Sequence, residues 1–125
     1  SRISISGHRK SSSLGKWGLK LEAALETITA AAPGAQDDAI EKFKELAHEM
    51  RGFGGTFDYN LITAISDQLF RVMEQFKGIN AQQAMIIKLH IDSMKVVSTE
   101  RIKGDGGERG EQVMSGLGRV IAKFT

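Results

Sequence analysis

Along most of the chain, apolar residues return every three or four positions, and this spacing predicts helices in succession. Trp17, Leu21, Ala24, Leu25 and Ile28 form one stripe, which predicts a first helix from about Lys16 to Ala32, stopped by Pro33-Gly34. Asp38 with Glu41 three residues later reads as a capping box, ahead of a second stripe of Ile40, Phe43, Ala47, Met50, Gly54 and Phe57. Asp58 or Asn60 can cap a third helix that buries Leu61, Ile65, Leu69, Val72 and Phe76 and ends at a left-handed Gly78. Asn80 with Gln83 repeats the capping pattern. It opens a fourth helix from about Ala81 to Lys103, with Ala84, Ile87, Ile91 and Met94 on one strip and Met85, Leu89 and Val96 beside it, giving a wide buried face. After Gly104-Asp105-Gly106-Gly107, a fifth helix carries Val113, Leu117, Val120, Ile121 and Phe124.

Short connections make consecutive helices antiparallel neighbours, so the expected fold is all-α, an up-down four-helix bundle with an additional helix. Residues 1–15 are expected to form a flexible or extended segment, since only Ile3 and Ile5 alternate with serine there, and residues 16–125 to form the helical domain. A chain of 125 residues, 41% of them apolar, suits one core.

Composition removes several classes of function. No cysteine is present, so disulfides, thiolate metal sites and cysteine nucleophiles are excluded together, and a reducing compartment suits the chain. No stretch approaches the roughly 20 apolar residues that span a bilayer, and the basic, serine-rich start lacks the apolar run of a secretory signal. Beginning without methionine is what a processed product, or a piece excised from something longer, would show. A net charge of +2 and a pI near 9.0 owe much to Arg2, Arg9, Lys10, Lys16 and Lys20. With no basic stripe interleaved with aromatics, neither nucleic acid nor membrane is an expected partner. His8 and His90 stand alone in sequence and are expected to be structural or solvated, so no metal is expected. Gly104 to Gly110 lacks the Gly-Lys-Ser/Thr ending of a phosphate-binding loop and reads as a helix connection. Met50, Met73, Met85, Met94 and Met114 read as core filling.

One segment resists this plain reading. His48-Glu49-Met50-Arg51-Gly52-Phe53-Gly54-Gly55-Thr56-Phe57 sets three glycines in a helix, at a cost of about 1 kcal/mol each relative to alanine. At about 100° per residue, Lys44, Arg51, Gly52 and Gly55 share a face with His48, whereas Gly54 falls on the core stripe. Gly54 is therefore expected to permit close helix packing. Gly52 and Gly55 would leave bare backbone beside an imidazole flanked by two cations, which is a surface suited to phosphoryl transfer: the cations can partner phosphoryl oxygens, and a partner's active site can approach closely.

The same residues resemble the signature of histidine-containing phosphotransfer domains, in which the histidine is followed by Lys or Arg at plus three, Gly at plus four and a small residue at plus six. The Gly-Thr-Phe run resembles the phosphotransfer domain that begins chemotaxis histidine kinases. The resemblance implies that His48 is the phosphoacceptor, that Arg51 and Lys44 stabilise the charge, that Gly52, Gly55 and Glu49 belong to the docking face, and that Phe57 packs the helix end. It implies a monomeric, cytoplasmic phosphoryl carrier of a two-component phosphorelay, without autonomous kinase activity and without a cofactor. Its partners would be the receiver domain of a response regulator or hybrid kinase, or a histidine kinase. Two positions depart from the pattern. Asp58 stands at plus ten, where glycine is common. Asp67 and Phe70 stand at plus nineteen and plus twenty-two, where the chemotaxis subgroup has histidine and glutamate; Asp67 is the candidate for orienting the other ring nitrogen of His48.

Two other classes remain open. His48-Glu49-Met50-Arg51 also begins like the phosphoacceptor box of a histidine-kinase dimerisation domain, with Glu49 as general base, although that box continues Thr-Pro-Leu and this chain continues Gly-Phe-Gly. The third class is a non-catalytic helical protein-interaction module in which His48 is incidental.

Overall fold

The computed structural model describes residues 2–32 and 34–124, with side chains from residue 16 onward. Ser1, Pro33 and Thr125, and the side chains of residues 2–15 including His8, lie outside the described residues, so the stop signal read at Pro33 does too. Among the described residues all regular structure is helical: α1 Arg2–Ala30, α2 Asp37–Thr56, α3 Asn60–Glu74, α4 Ala81–Thr99 and α5 Gly107–Phe124. Both α2 and α4 pack against α1 and against α3, closing an up-down ring of four helices, and α5 lies on α4 and α3. This is the expected fold class.

The core follows the predicted stripes. Leu21, Leu25 and Ile28 of α1 meet Phe43, Ala47 and Met50 of α2, Ile62, Ile65 and Leu69 of α3, and Ile87, Ile91 and Met94 of α4. Burial of such side chains contributes roughly 1.5–3 kcal/mol each before entropy is set against it. No buried side-chain nitrogen or oxygen among the described residues lacks a hydrogen-bond partner.

Several expectations are corrected, each for a physical reason. α1 begins at Arg2, not near Lys16, so the backbone of residues 2–15 is helical where a flexible or extended segment was expected. A lone extended segment leaves its ladder hydrogen bonds unmade, whereas a helix closes its own. The fourth helix stops at Thr99, short of Lys103, and left-handed Arg101 (φ 53°) turns the chain out of it. Asp38 and Glu41 form no capping box, because α2 is preceded by Gln36, whose side chain does not cap. Its Nε2 donates to the carbonyls of Ile28 (3.0 Å) and Ile79 (3.2 Å), and its Oε1 accepts from the Ile79 N–H (3.0 Å). The amide thus ties the end of α1 to the α3–α4 connection, and Asp37 and Asp38 favour the helix start through its dipole instead. Gly78 is absent from the left-handed residues; α3 ends at Glu74. Asn80 and Gln83 do form the reciprocal box, at 2.8 and 2.9 Å.

The buried face of α4 is narrower than its sequence suggests. Met85 is 57% exposed, and Leu89 and Val96 are also exposed, because α5 covers a different side of α4. Met85 is therefore not core filling. His90, by contrast, is wholly buried. Its Nδ1 lies 2.8 Å from the Ile86 carbonyl, an acceptor only, so that nitrogen carries the proton of the neutral ring and Nε2 faces the Gln68 amide at 3.5 Å. Burial pushes the His90 pKa below its ordinary value, against a smaller opposing effect of the Ile86 hydrogen bond.

The sign of the resulting pH dependence follows directly. The unfolded chain takes up a proton at His90 as pH falls below about 6.5, while the folded chain resists, so stability present above that pH is lost as the solution is acidified. Urea unfolding at pH 7.5 and pH 5.5 should show a lower midpoint at pH 5.5, and the difference should shrink in His90→Leu. Equal pH dependence in the two proteins would contradict the assignment.

Candidate functional site

The candidate site is built on the seam between α2 and α3. The two helices run antiparallel, and three pairs follow one another at successive turns: His48 beside Phe70, Arg51 beside Asp67, and Gly54 beside Thr63. Steps of three residues on α2, and of three and then four on α3, keep all three pairs on the same seam.

Gly54 makes the seam possible. A Cβ built there would stand 2.8 Å from Thr63 Oγ1, 2.9 Å from the Tyr59 carbonyl oxygen and 3.1 Å from the Thr63 nitrogen. Two of those neighbours are backbone and cannot swing aside. The Tyr59 N–H donates to the Gly54 carbonyl at 2.6 Å, and Asp58, at φ 65°, makes the left-handed turn between the helices. Glycine adopts that conformation without strain, and aspartate is among the few other residues that tolerate it. The departure at plus ten therefore falls where the backbone itself favours glycine.

The turn is anchored from outside. The Asp58 carbonyl accepts from the Gly104 N–H at 2.7 Å, and the Leu61 N–H donates to the Gly104 carbonyl at 2.9 Å. Lys103 donates to the Phe57 carbonyl at 3.0 Å while its ammonium sits 4.3 Å from the centre of the Tyr59 ring. These contacts occupy the start of α3 without a side-chain cap, so neither Asp58 nor Asn60 plays the expected capping part. Phe57 stacks on Phe53, with centroids 5.7 Å apart, and Phe53 meets Trp17 at 5.5 Å, an aromatic column that packs the end of α2 onto α1.

With α2 fixed in this rotation, His48, Glu49, Arg51, Gly52 and Gly55 are exposed and Lys44 is half-buried. A Cβ at Gly52 or Gly55 would meet nothing within 4 Å. The division read from the helical wheel is thus the geometry observed: Gly54 packs, and Gly52 and Gly55 leave open backbone. The His48 ring meets Phe70 edge-on, with centroids 6.3 Å apart and planes at 67°. Glu41, Lys44, Glu45, His48, Glu49 and Phe70 line an open groove of about 450 Å³.

Asp67 is placed differently from expectation. Its Oδ1 accepts from Arg51 Nε at 2.5 Å, and no carboxylate is hydrogen-bonded to the His48 ring among the described residues. Phe70, on the turn after Asp67, occupies the flank of the imidazole instead. Sequence reasoning marked Phe70 only as a departure and missed its contact with His48; the signal was its position one helical turn beyond Asp67 on α3. Among the described residues no group of three or more potential metal-binding side chains gathers, here or elsewhere.

The glycines can be separated by stability. Gly52→Ala and Gly55→Ala should raise stability by up to about 1 kcal/mol each, because alanine favours the helix and nothing obstructs it. Gly54→Ala should lower it by about 1–3 kcal/mol through overpacking. Thermal unfolding of the three variants checks this; a stabilised Gly54→Ala protein would contradict the close approach. No family model, curated protein or solved structure matches the chain.

Proposed function

We propose that this chain is a histidine phosphotransfer module of a two-component phosphorelay, with His48 as its phosphoacceptor. The observation that carries the reading is an exposed imidazole in mid-helix with open backbone at Gly52 and Gly55 on the same face. In the transfer, a lone pair on the His48 ring attacks the phosphorus of a receiver domain's aspartyl phosphate. The nitrogen–phosphorus bond forms as the phosphorus–oxygen bond to the aspartate breaks, and the electron pair leaves on the carboxylate. The other ring nitrogen releases its proton to solvent, which leaves an uncharged ring bearing the anionic phosphoryl group. Reversal of these steps passes the group onward.

Such chemistry asks little of the carrier beyond position and charge. Arg51 and Lys44 supply cations one turn after and one turn before His48, and Glu49 borders the docking face. The module is a phosphoryl carrier without autonomous kinase activity, and its partners are the receiver domain of a response regulator or hybrid kinase, or a histidine kinase. A cytoplasmic setting belongs to the same proposal; among the described residues no helix is long and apolar enough to cross a membrane.

Incubation with a panel of phosphorylated receiver domains should give acid-labile, base-stable label on the protein, and His48→Gln should abolish it. Label retained in His48→Gln would sink the assignment. Access is tested separately by Gly55→Leu, which should slow transfer from receivers by at least tenfold while leaving the helical content intact, since open space surrounds that position. Unchanged transfer rates would remove this face from the interface.

A further inference from the structure

Arg51 is tied to α3 at two points. Thr63 Oγ1 donates to its backbone carbonyl at 3.1 Å, and Asp67, one turn further along α3, accepts from its Nε at 2.5 Å. The carboxylate engages only the side of the guanidinium. Among the described residues nothing hydrogen-bonds its two terminal nitrogens, which keep four N–H donors for an incoming acceptor. Both side chains are well exposed, at 43% and 40%, so a pair of this kind contributes little to stability. That leaves orientation as its physical consequence. On an exposed helix a long cationic side chain otherwise samples many rotamers, and ordering it carries an entropic cost each time it must act.

We propose that Asp67 is a positioning residue: by holding Arg51 through Nε, it keeps the terminal guanidinium nitrogens on the α2–α3 seam that also carries His48, ready to receive phosphoryl oxygens. The proposal rests on the reading of His48 as a phosphoacceptor and adds a residue that acts through Arg51, without touching the phosphoryl group. Asp67 therefore has a different task from orienting the imidazole.

A small phosphoryl donor tests it without any partner protein. With phosphoramidate, the His48 ring nitrogen attacks phosphorus, the phosphorus–nitrogen bond of the donor breaks, and ammonia leaves with the electron pair and takes up the proton lost by the ring. The initial rate is followed by ³¹P NMR on the full chain, with the His48 resonance assigned by its loss in His48→Gln. Asp67→Asn should lower the rate about threefold to fivefold, in keeping with the modest strength of an exposed ion pair. Asp67→Glu should restore most of it, and in an Arg51→Gln background Asp67→Asn should have no further effect.

The direction of the change is diagnostic. Removing a carboxylate by itself makes the surroundings more positive and would speed reaction with an anionic donor. An unchanged or faster rate in Asp67→Asn would therefore overturn the proposal, as would an equal loss in the Arg51→Gln background, or no labelling of His48 at all. If phosphoramidate labelling behaves as expected but no receiver transfers to His48, the phosphorelay reading fails and the positioning role of Asp67 stands.

Discussion

At Gly54 the backbone of α2 comes so close to the start of α3 that a single methyl group would press on the Tyr59 carbonyl and the Thr63 nitrogen. That approach sets the rotation of α2 about its own axis. Given a helical repeat of about 100° per residue, fixing one position against α3 fixes all the others. Ala47 and Met50 turn into the core, Arg51 and His48 come to the edge of the seam, and Gly52 and Gly55 turn outward. The left-handed Asp58 and the hydrogen bonds to Gly104 hold the turn that makes the approach possible. An exposed site is thus oriented by a contact that is itself buried, and this is why a rigid bundle can present side chains that have few contacts of their own.

Charged contacts occur on more than one seam of the bundle. Glu22 of α1, whose carboxyl is held below its ordinary pKa chiefly by a hydrogen bond from Lys95 at 2.7 Å, fastens α1 to α4 on the other side of the bundle. Gly18 there lies against the Lys95 stem, a flexible neighbour that a Cβ could displace. Gly54 meets backbone, so its contact is the less forgiving of the two. On the candidate face, Lys44 has no ion-pair partner among the described residues, while Arg51 has one that leaves most of its donors free. A surface of this sort keeps positive charge available near an imidazole without burying it, which suits the proposed phosphoacceptor.

The core helices and their order were legible in the sequence because the three- and four-residue apolar rhythm is imposed by burial, which every turn of a bundle helix shares. The close packing at Gly54 and the open backbone at Gly52 and Gly55 were legible for the same reason, since Gly54 falls in the rhythm and Gly52 and Gly55 fall outside it. Details that depend on which neighbour a side chain finds were not. Asp38 and Glu41 carry a capping pattern as good as that of Asn80 and Gln83, yet only the second pair forms, because α2 begins at Asp37 with Gln36 at the cap position, which puts Asp38 inside the helix. Met85, Leu89 and Val96 are as apolar as their buried neighbours on α4 and are exposed only because α5 packs elsewhere. Asp67 and Phe70 were visible as departures from a resemblance, but that one meets Arg51 and the other His48 depends on the antiparallel register of α3 against α2.

The central claim is that a phosphoryl group arrives on the imidazole presented by this face. Tandem mass spectrometry at neutral pH, after mixing the protein with a phosphorylated receiver domain, locates the modified residue directly. The account predicts a single phosphoryl group on the peptide containing His48, with the site assigned to that histidine. A phosphoryl group on any other residue, or none from any receiver tried, would contradict it.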